Sequence, residues 1–219
     1  MNKTHKLEII PGILESSWSE IEKKVEAILP FAKTIHIDIV DGKFSPSTTF
    51  LDPNPFKKYT SEALFELHMM VEQPLQYLKP WAEAGFKRFI GQVEKMSDQI
   101  EFIAQGQLLG EVGLALDGPT PIEQIAVPLN DLDCILIYAG DNLGQSGGTM
   151  QPDKLQKVSE LAINFEGPIE VDGGGNNQTI KQAKDAGASR FVTTRFLFSS
   201  TTPHDGYNNL KLVLGENPS

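Results

Sequence analysis

Cysteine is all but absent from this chain of 219 residues. The one copy, Cys134, cannot close an internal disulfide, which excludes a disulfide-stapled scaffold. It sits in the apolar run Cys134–Tyr138, reads as a small hydrophobe and suits a reducing cytoplasm. Basic residues are also scarce: 19 Lys and Arg against 29 Asp and Glu give a formal net charge of -10. A polyanion would meet repulsion averaged over such a surface, which argues against nucleic acid as a partner. Long apolar runs are missing as well, since none approaches the ~20 residues of a spanning helix. The N-terminal lysines are followed by Glu8, Glu15, Glu20 and Glu22 rather than by an apolar segment, so neither a membrane span nor a standard export signal is expected. What is present, 40% apolar and 22% charged residues, is the makeup of an ordinary soluble domain.

Short β-rich apolar runs begin near Leu7, Thr34, Ala63, Arg88, Glu111, Cys134, Ile169 and Phe191, each followed by a capping signal and a helix-like stretch. Ser17 and Glu20 have capping-box spacing, Pro74 and Pro121 suit first helical positions, and Asp153 opens the periodic stretch Leu155, Val158, Leu161, Ala162. Gly85 and Gly187 suit helix ends. Eight such βα units in a chain of this length describe an α/β fold of the (β/α)8 TIM-barrel type; a doubly wound open sheet is the second architecture the alternation permits. No linker divides the chain, so residues 1–219 are expected to form one barrel domain with a loose tail from about Gly215.

In Ile35-His36-Ile37-Asp38-Ile39 the polar residues are two apart, which puts both on one face of a strand, the interior of a barrel. His68 closes the next polar strand and Asp172 ends the seventh, directly before three glycines. All four are expected at C-terminal strand ends, where barrel enzymes place their chemistry. Each has a plainer reading alone, as a hydrogen-bonded core histidine or a capping aspartate. Together, two imidazoles and two carboxylates suit one divalent ion, Zn2+ first, with Fe2+, Mn2+ or Co2+ as alternatives, and the cation compensates the buried charge. Glu66 and Glu170 should face the same interior one layer deeper, either orienting the ligands or packing with a hydrogen bond. The turn Gly173-Gly174-Gly175 before a helix suits backbone binding of phosphate, or is a plain tight turn. The loop from Gly140 to Gly148 reads as a mobile lid or substrate loop.

At these residues the chain resembles the ribulose-phosphate 3-epimerase family, metal-dependent barrels of the ribulose-phosphate-binding type. The resemblance runs over nearly the whole length, through Pro11-Gly-Ile-Leu14, His36-Ile-Asp-Ile-Val-Asp-Gly-Lys-Phe44, His68-Met-Met-Val71, Gly113-Leu-Ala-Leu116 with Thr120-Pro121, and Val171-Asp-Gly-Gly174. It implies a metal held by His36, Asp38, His68 and Asp172, with Asp38 and Asp172 also the catalytic acid/base pair. The substrate contacts expected are His68, Gly147, Gly148, Gly173, Gly174, Thr194 and Arg195. The implied activity is 3-epimerisation of a ketose phosphate, D-ribulose 5-phosphate to D-xylulose 5-phosphate, through an enediolate, in the cytoplasmic pentose phosphate pathway. The alternatives are a metal-binding relative acting on another sugar or sugar phosphate, or a binding protein without turnover. The partner is a small sugar phosphate, not nucleic acid or a membrane, and a homo-oligomer is compatible with the sequence.

Departures from the family pattern gather in the substrate-facing loops. Gly12 and Glu15 stand where the family has serines, Gln92 where it has histidine, and Asp141-Asn-Leu-Gly-Gln-Ser-Gly-Gly148 where it has Asn-Pro-Gly-Phe-Gly-Gly-Gln. Thr194-Arg195 replaces a Gly-Ser pair that closes on phosphate; Arg195 either grips the phosphate itself or fills its place by pairing with a carboxylate. Barrel decarboxylases and aldol-type lyases of related shape usually need a lysine beside the acidic residues, and here Lys43 lies beyond the strand end.

Overall fold

The β-rich runs condense into eight parallel strands that close on themselves in a computed structural model describing residues 5–145 and 147–218. They are β1 (Glu8–Ile13), β2 (Thr34–Val40), β3 (Leu64–Met70), β4 (Arg88–Gln92), β5 (Glu111–Asp117), β6 (Cys134–Tyr138), β7 (Ile169–Asp172) and β8 (Arg190–Thr193). They pair in sequence order, and β8 returns to β1 with Ile10 opposite Val192. Closure leaves no sheet edge, so the doubly wound alternative is excluded.

Around the barrel lie α1 (Trp18–Ile28), α2 (Leu75–Glu83), α3 (Gln99–Gln107), α4 (Leu155–Asn164), α5 (Asn177–Ala186), α6 (Arg195–Phe198) and α7 (Pro203–Leu214). Two expected helices do not form. After β2 the chain makes only a 3-10 segment, Asn54–Lys58, and after β5 only the 3-10 turns Ile122–Gln124 and Leu129–Asp131. Pro53 and Pro55 in the first interval, and Pro119, Pro121 and Pro128 in the second, remove amide donors and disfavour helical backbone before them. Other signals shift. Ser17 is the N-cap of α1, but its hydroxyl makes no capping bond and lies 3.4 Å from Ser19 Oγ. Pro74 is the N-cap of α2 rather than its first residue, and Asp153 sits in a 3-10 turn ahead of α4. The complete capping box belongs to Asn176 and Thr179 on α5, which ends at Gly187 in the left-handed region (φ 113°) that favours glycine.

Outward strand residues such as Ile35, Ile37, Phe65, Leu67, Phe89, Leu114 and Ile137 are buried beneath helix residues such as Val25, Trp81, Phe102 and Val158. Each such side chain contributes about 1.5–3 kcal/mol of transfer free energy. The interior is divided. One wall is apolar, made by Ile90, Ala115, Cys134, Leu136 and Tyr138. The opposite wall, on β2, β3 and β7, carries His36, Asp38, Glu66, His68, Glu170 and Asp172. Toward the N-terminal ends of the strands polar pairs close the interior: Thr34 Oγ1 donates to Glu8 Oε1 at 2.6 Å, and Arg88 Nε donates to Glu111 Oε2 at 2.6 Å. No helix among the described residues is long and apolar enough to cross a membrane.

Candidate metal and substrate site

Strand register assembles the polar wall. His36 stands opposite Glu66, Asp38 opposite His68, and Asp172 opposite Tyr138. Asp38 and Asp172 lie toward the C-terminal rim, whereas His36, the third of the seven residues of β2, sits one pleat deeper than expected. Each of His36, Asp38, His68 and Asp172 offers a ligand atom within 4.8 Å of the others. His68 Nδ1 lies 2.8 Å, and His36 Nε2 3.2 Å, from the same oxygen, Asp38 Oδ1.

The far side of His36 settles its tautomer. Its Nδ1 is 2.7 Å from Glu66 Oε1 and 3.4 Å from Glu170 Oε1. A carboxylate only accepts, so Nδ1 carries a proton; Nε2 faces the Asp38 carboxylate, which favours a proton there as well in the metal-free fold, and it is the nitrogen that would give up that proton and offer a lone pair to an ion. Arg88 in turn grips Glu66 through Nη1. Glu66 is thus the residue that orients His36. A second cluster, His36, Glu66 and Glu170, also has ligand spacing, but the proton on Nδ1 bars His36 from serving it as well. Two imidazole lone pairs and two carboxylates converging on one buried spot fit a divalent transition ion.

The two rim carboxyls are pushed apart. Burial pushes Asp38 up, but His36 and His68 outweigh it and hold the carboxyl well below its ordinary range. Asp172 is pushed up to about 6, by burial and then by the charge of Asp38. One group therefore favours the anion while the other keeps a proton close to neutrality, which is what an acid/base pair requires. Deeper down, burial and Glu66 push Glu170 up to about 7.

Above Asp38 and Asp172 opens a cavity of about 340 Å³, of a size for a small metabolite. Of the residues expected to touch substrate, Gly147, Gly148, Gly173, Gly174, Thr194 and Arg195 line it; His68 is wholly buried beneath. Ser146, within the expected lid loop, and Ser219, in the expected tail, lie outside the described residues. Met70 lines the cavity, whereas Met69 points outward into the core beneath the helices.

Gly173 N–H donates to Asp172 Oδ1 at 2.7 Å, and Asn176 Oδ1 accepts from Gln178 N at 2.9 Å and Thr179 N at 3.2 Å. Of the glycine amides expected to meet phosphate, that of Gly173 is engaged internally. Arg195 is not: among the described residues its guanidinium pairs with no carboxylate and reaches only Gly148 O, at 3.5 Å. The salt bridge that would close the site does not form. Glu15 turns away to Lys24, and a Cβ at Gly12 would stand 2.7 Å from Thr194 Oγ1. Glycine at position 12 thus makes room for a hydroxyl supplied from β8. A lysine does approach the rim, Lys154, but its ammonium is bound to Asp117 Oδ1 at 3.0 Å and to Gly140 O.

Tyr138 lines the cavity without having been anticipated. Burial, then Asp172 and Asp38, push its hydroxyl well above the ordinary tyrosine range. Its alternation with Cys134 and Leu136 along β6 is the signal that places it inside the barrel.

A family model described as "Ribulose-phosphate 3 epimerase family" matches residues 8–198. The ribulose-phosphate 3-epimerase of Schizosaccharomyces pombe is 31% identical over 211 residues, 93% of this chain and 92% of that protein. The cytoplasmic isoform of ribulose-phosphate 3-epimerase from Oryza sativa subsp. japonica is 29% identical over 213 residues, again 93% of this chain and 92% of the relative. Among solved structures, 3-hexulose-6-phosphate synthase from Salmonella typhimurium has a TM-score of 0.72 at 12% identity, over 95% of this chain and 98% of that one. At that identity the likeness shows a shared fold alone.

Proposed function

The chain belongs to the ribulose-phosphate 3-epimerase family, and from that premise we propose that it inverts C3 of a ketose phosphate, interconverting D-ribulose 5-phosphate and D-xylulose 5-phosphate. Membership makes it an isomerase acting on carbohydrates; the substrate, the metal and the roles of single residues are our reading. The observation that carries it is the pair Asp38 and Asp172, which line one cavity with their proton affinities pushed in opposite directions.

In one direction an ionised Asp38 takes the proton from C3, and the C–H electron pair moves toward the C2 carbonyl to give an enediolate. Asp172 then delivers its proton to the other face of C3, and the reverse reaction exchanges the roles. A divalent ion, held by His36 Nε2, His68 Nδ1, Asp38 and Asp172, would supply Lewis-acid stabilisation of the negative charge developing on the substrate oxygens. Glu66 keeps His36 in the tautomer this needs. Arg195, without a carboxylate partner among the described residues, supports a phosphate anchor at the cavity mouth, with Thr194 and the glycines of 147–148 and 173–174 as the remaining contacts. Action in the cytoplasm, within the pentose phosphate pathway, goes with this reading.

The test is to give the metal-loaded protein D-ribulose 5-phosphate in D2O. Deuterium should enter at C3 as xylulose 5-phosphate forms. Absence of C3 exchange in any pentose or hexose ketose phosphate would refute the epimerase reading. The internal engagement of the Gly173 amide favours one second reading, a sugar held without its phosphate, which would show exchange with the free ketose instead.

A further inference from the structure

His68 has no solvent contact, and both ring nitrogens are engaged. Nδ1 faces Asp38, and Nε2 lies 2.7 Å from Gln92 Oε1. A neutral imidazole has one donor and one acceptor nitrogen, and nothing in the ring chooses between them. Nor does Gln92 choose alone, because its amide has an oxygen on one side and an NH2 on the other and can be turned over. Glu94 chooses. It lies in the 3-10 turn directly after β4, where its Oε2 accepts from Gln92 Nε2 at 2.8 Å and its Oε1 accepts from the backbone N–H of Asp117 at 2.7 Å. A carboxylate bonded on both oxygens can only accept, so it holds the NH2 of Gln92 on its own side. The amide oxygen then faces His68 and Nε2 carries a proton; Nδ1, 2.8 Å from the Asp38 carboxylate, is favoured to carry one as well in the metal-free fold, and that is the proton a divalent ion would displace.

Building on the metal site proposed above, we infer that Gln92 and Glu94 form a tautomer lock, two positioning residues that hold His68 as Nε2–H and thereby set how tightly the site holds a divalent ion. The lock runs from a backbone amide of β5, through Glu94 and Gln92 after and at the end of β4, to a ligand on β3. It does for His68 what Glu66 does for His36, with a neutral amide in place of a charged acceptor. Groups standing behind metal-ligating histidines typically change metal affinity by about 10–100-fold when lost. A histidine at position 92 could keep the lock, with one nitrogen donating to Glu94 and the other accepting from His68.

The experiment has two independent readings. Nitrogen-15 NMR of the metal-free protein, at a pH where both rings are neutral, reports which nitrogen of His68 is protonated. Competition against a chromophoric chelator reports the Zn2+ dissociation constant. In neutral His68 of the parent we expect a populated Nε2–H, lost in Gln92→Leu and reduced in Glu94→Gln because the Asp38 carboxylate then holds the proton on Nδ1, with His36 as Nδ1–H in all three. Zn2+ binding should weaken by about 10–100-fold in Gln92→Leu, while Gln92→His stays near the parent value. Glu94 is exposed, so its substitution tests the lock even if a change at buried Gln92 disturbs folding. A parent protein that takes up no Zn2+ while His68 remains Nε2–H would overturn the metal reading and leave the lock standing. An Nε2–H population of His68 that does not fall in Gln92→Leu, or a Gln92→Leu variant with Zn2+ affinity within about twofold of the parent, would overturn the lock.

Discussion

Replacing Arg195 by alanine removes a guanidinium that has almost nothing else to do. Among the described residues its one hydrogen bond is that to Gly148 O, at 3.5 Å, so little native stabilisation is lost and the variant should fold as the parent does. Hydrogen bonds to charged groups are worth about 1.5–3 kcal/mol, and the exposed position of Arg195 at the cavity mouth puts this one at the lower end because solvent and salt screen it. About 1.5–2 kcal/mol corresponds to roughly 10–30-fold in KM for a ketose phosphate. The phosphate sits away from the carbon being inverted and is held equally in ground and transition states, so kcat should change by less than about threefold. Initial rates of xylulose 5-phosphate formation over a range of ribulose 5-phosphate concentrations separate the two constants. The parent's advantage should shrink in 0.5 M salt, where the screening length is only about 4 Å. Arg195→Ser, which adds back a hydroxyl without charge, should behave as the alanine variant does. An unchanged or lowered KM in both variants would refute the reasoning and show that the arginine obstructs phosphate.

Asp38→Asn and Asp172→Asn should each lower C3 deuterium exchange by several orders of magnitude, since either removes a proton carrier and a ligand together. His36→Ala should lower the ion content per chain, measured by elemental analysis after dialysis. Arg88→Met should cost about 3 kcal/mol in urea unfolding, because it leaves the buried Glu66 carboxylate with His36 Nδ1–H but without its guanidinium partner. Glu170 is held above its ordinary range in the fold, so its stabilising contribution is complete below the unfolded carboxyl range near 4.5 and is lost as pH rises through about 7. Metal-free Glu170→Gln should therefore gain stability relative to the parent between pH 5 and pH 8, and a constant difference across that window would refute the assignment.

The sequence shows those parts of the site that lie along one strand. Alternation in Ile35–Ile39 puts His36 and Asp38 on one face, and the same period places Glu66 beneath His68 and Glu170 beneath Asp172. Contacts between strands are harder to read. Gln92 stands out in the sequence as a departure, but its hold on His68 depends on Glu94 turning back across a 3-10 turn to meet a β5 amide. Gly12 and Thr194 are 182 positions apart and meet only because the last strand closes against the first. Helix signals are weaker guides where one residue decides the outcome. Ser17 and Glu20 have the spacing of a capping box without its hydrogen bond, while Asn176 and Thr179, read only as part of a glycine-rich turn, make the complete one.

Closure of β8 onto β1 also governs when this protein can begin to work. A chain emerging from the ribosome has made His36, Asp38 and His68 before half its length is synthesised, yet the fourth ligand waits for residue 172 and the anchor for residue 195. Until then the three early ligands lie on two neighbouring strands with neither the opposing carboxylate nor a cavity roof. On the proposed mechanism a chain truncated before residue 172 should therefore be inactive. On that reading catalysis reports on completion of the barrel, and activity during refolding should return only once β8 has paired with β1, the contact of longest sequence separation in the sheet.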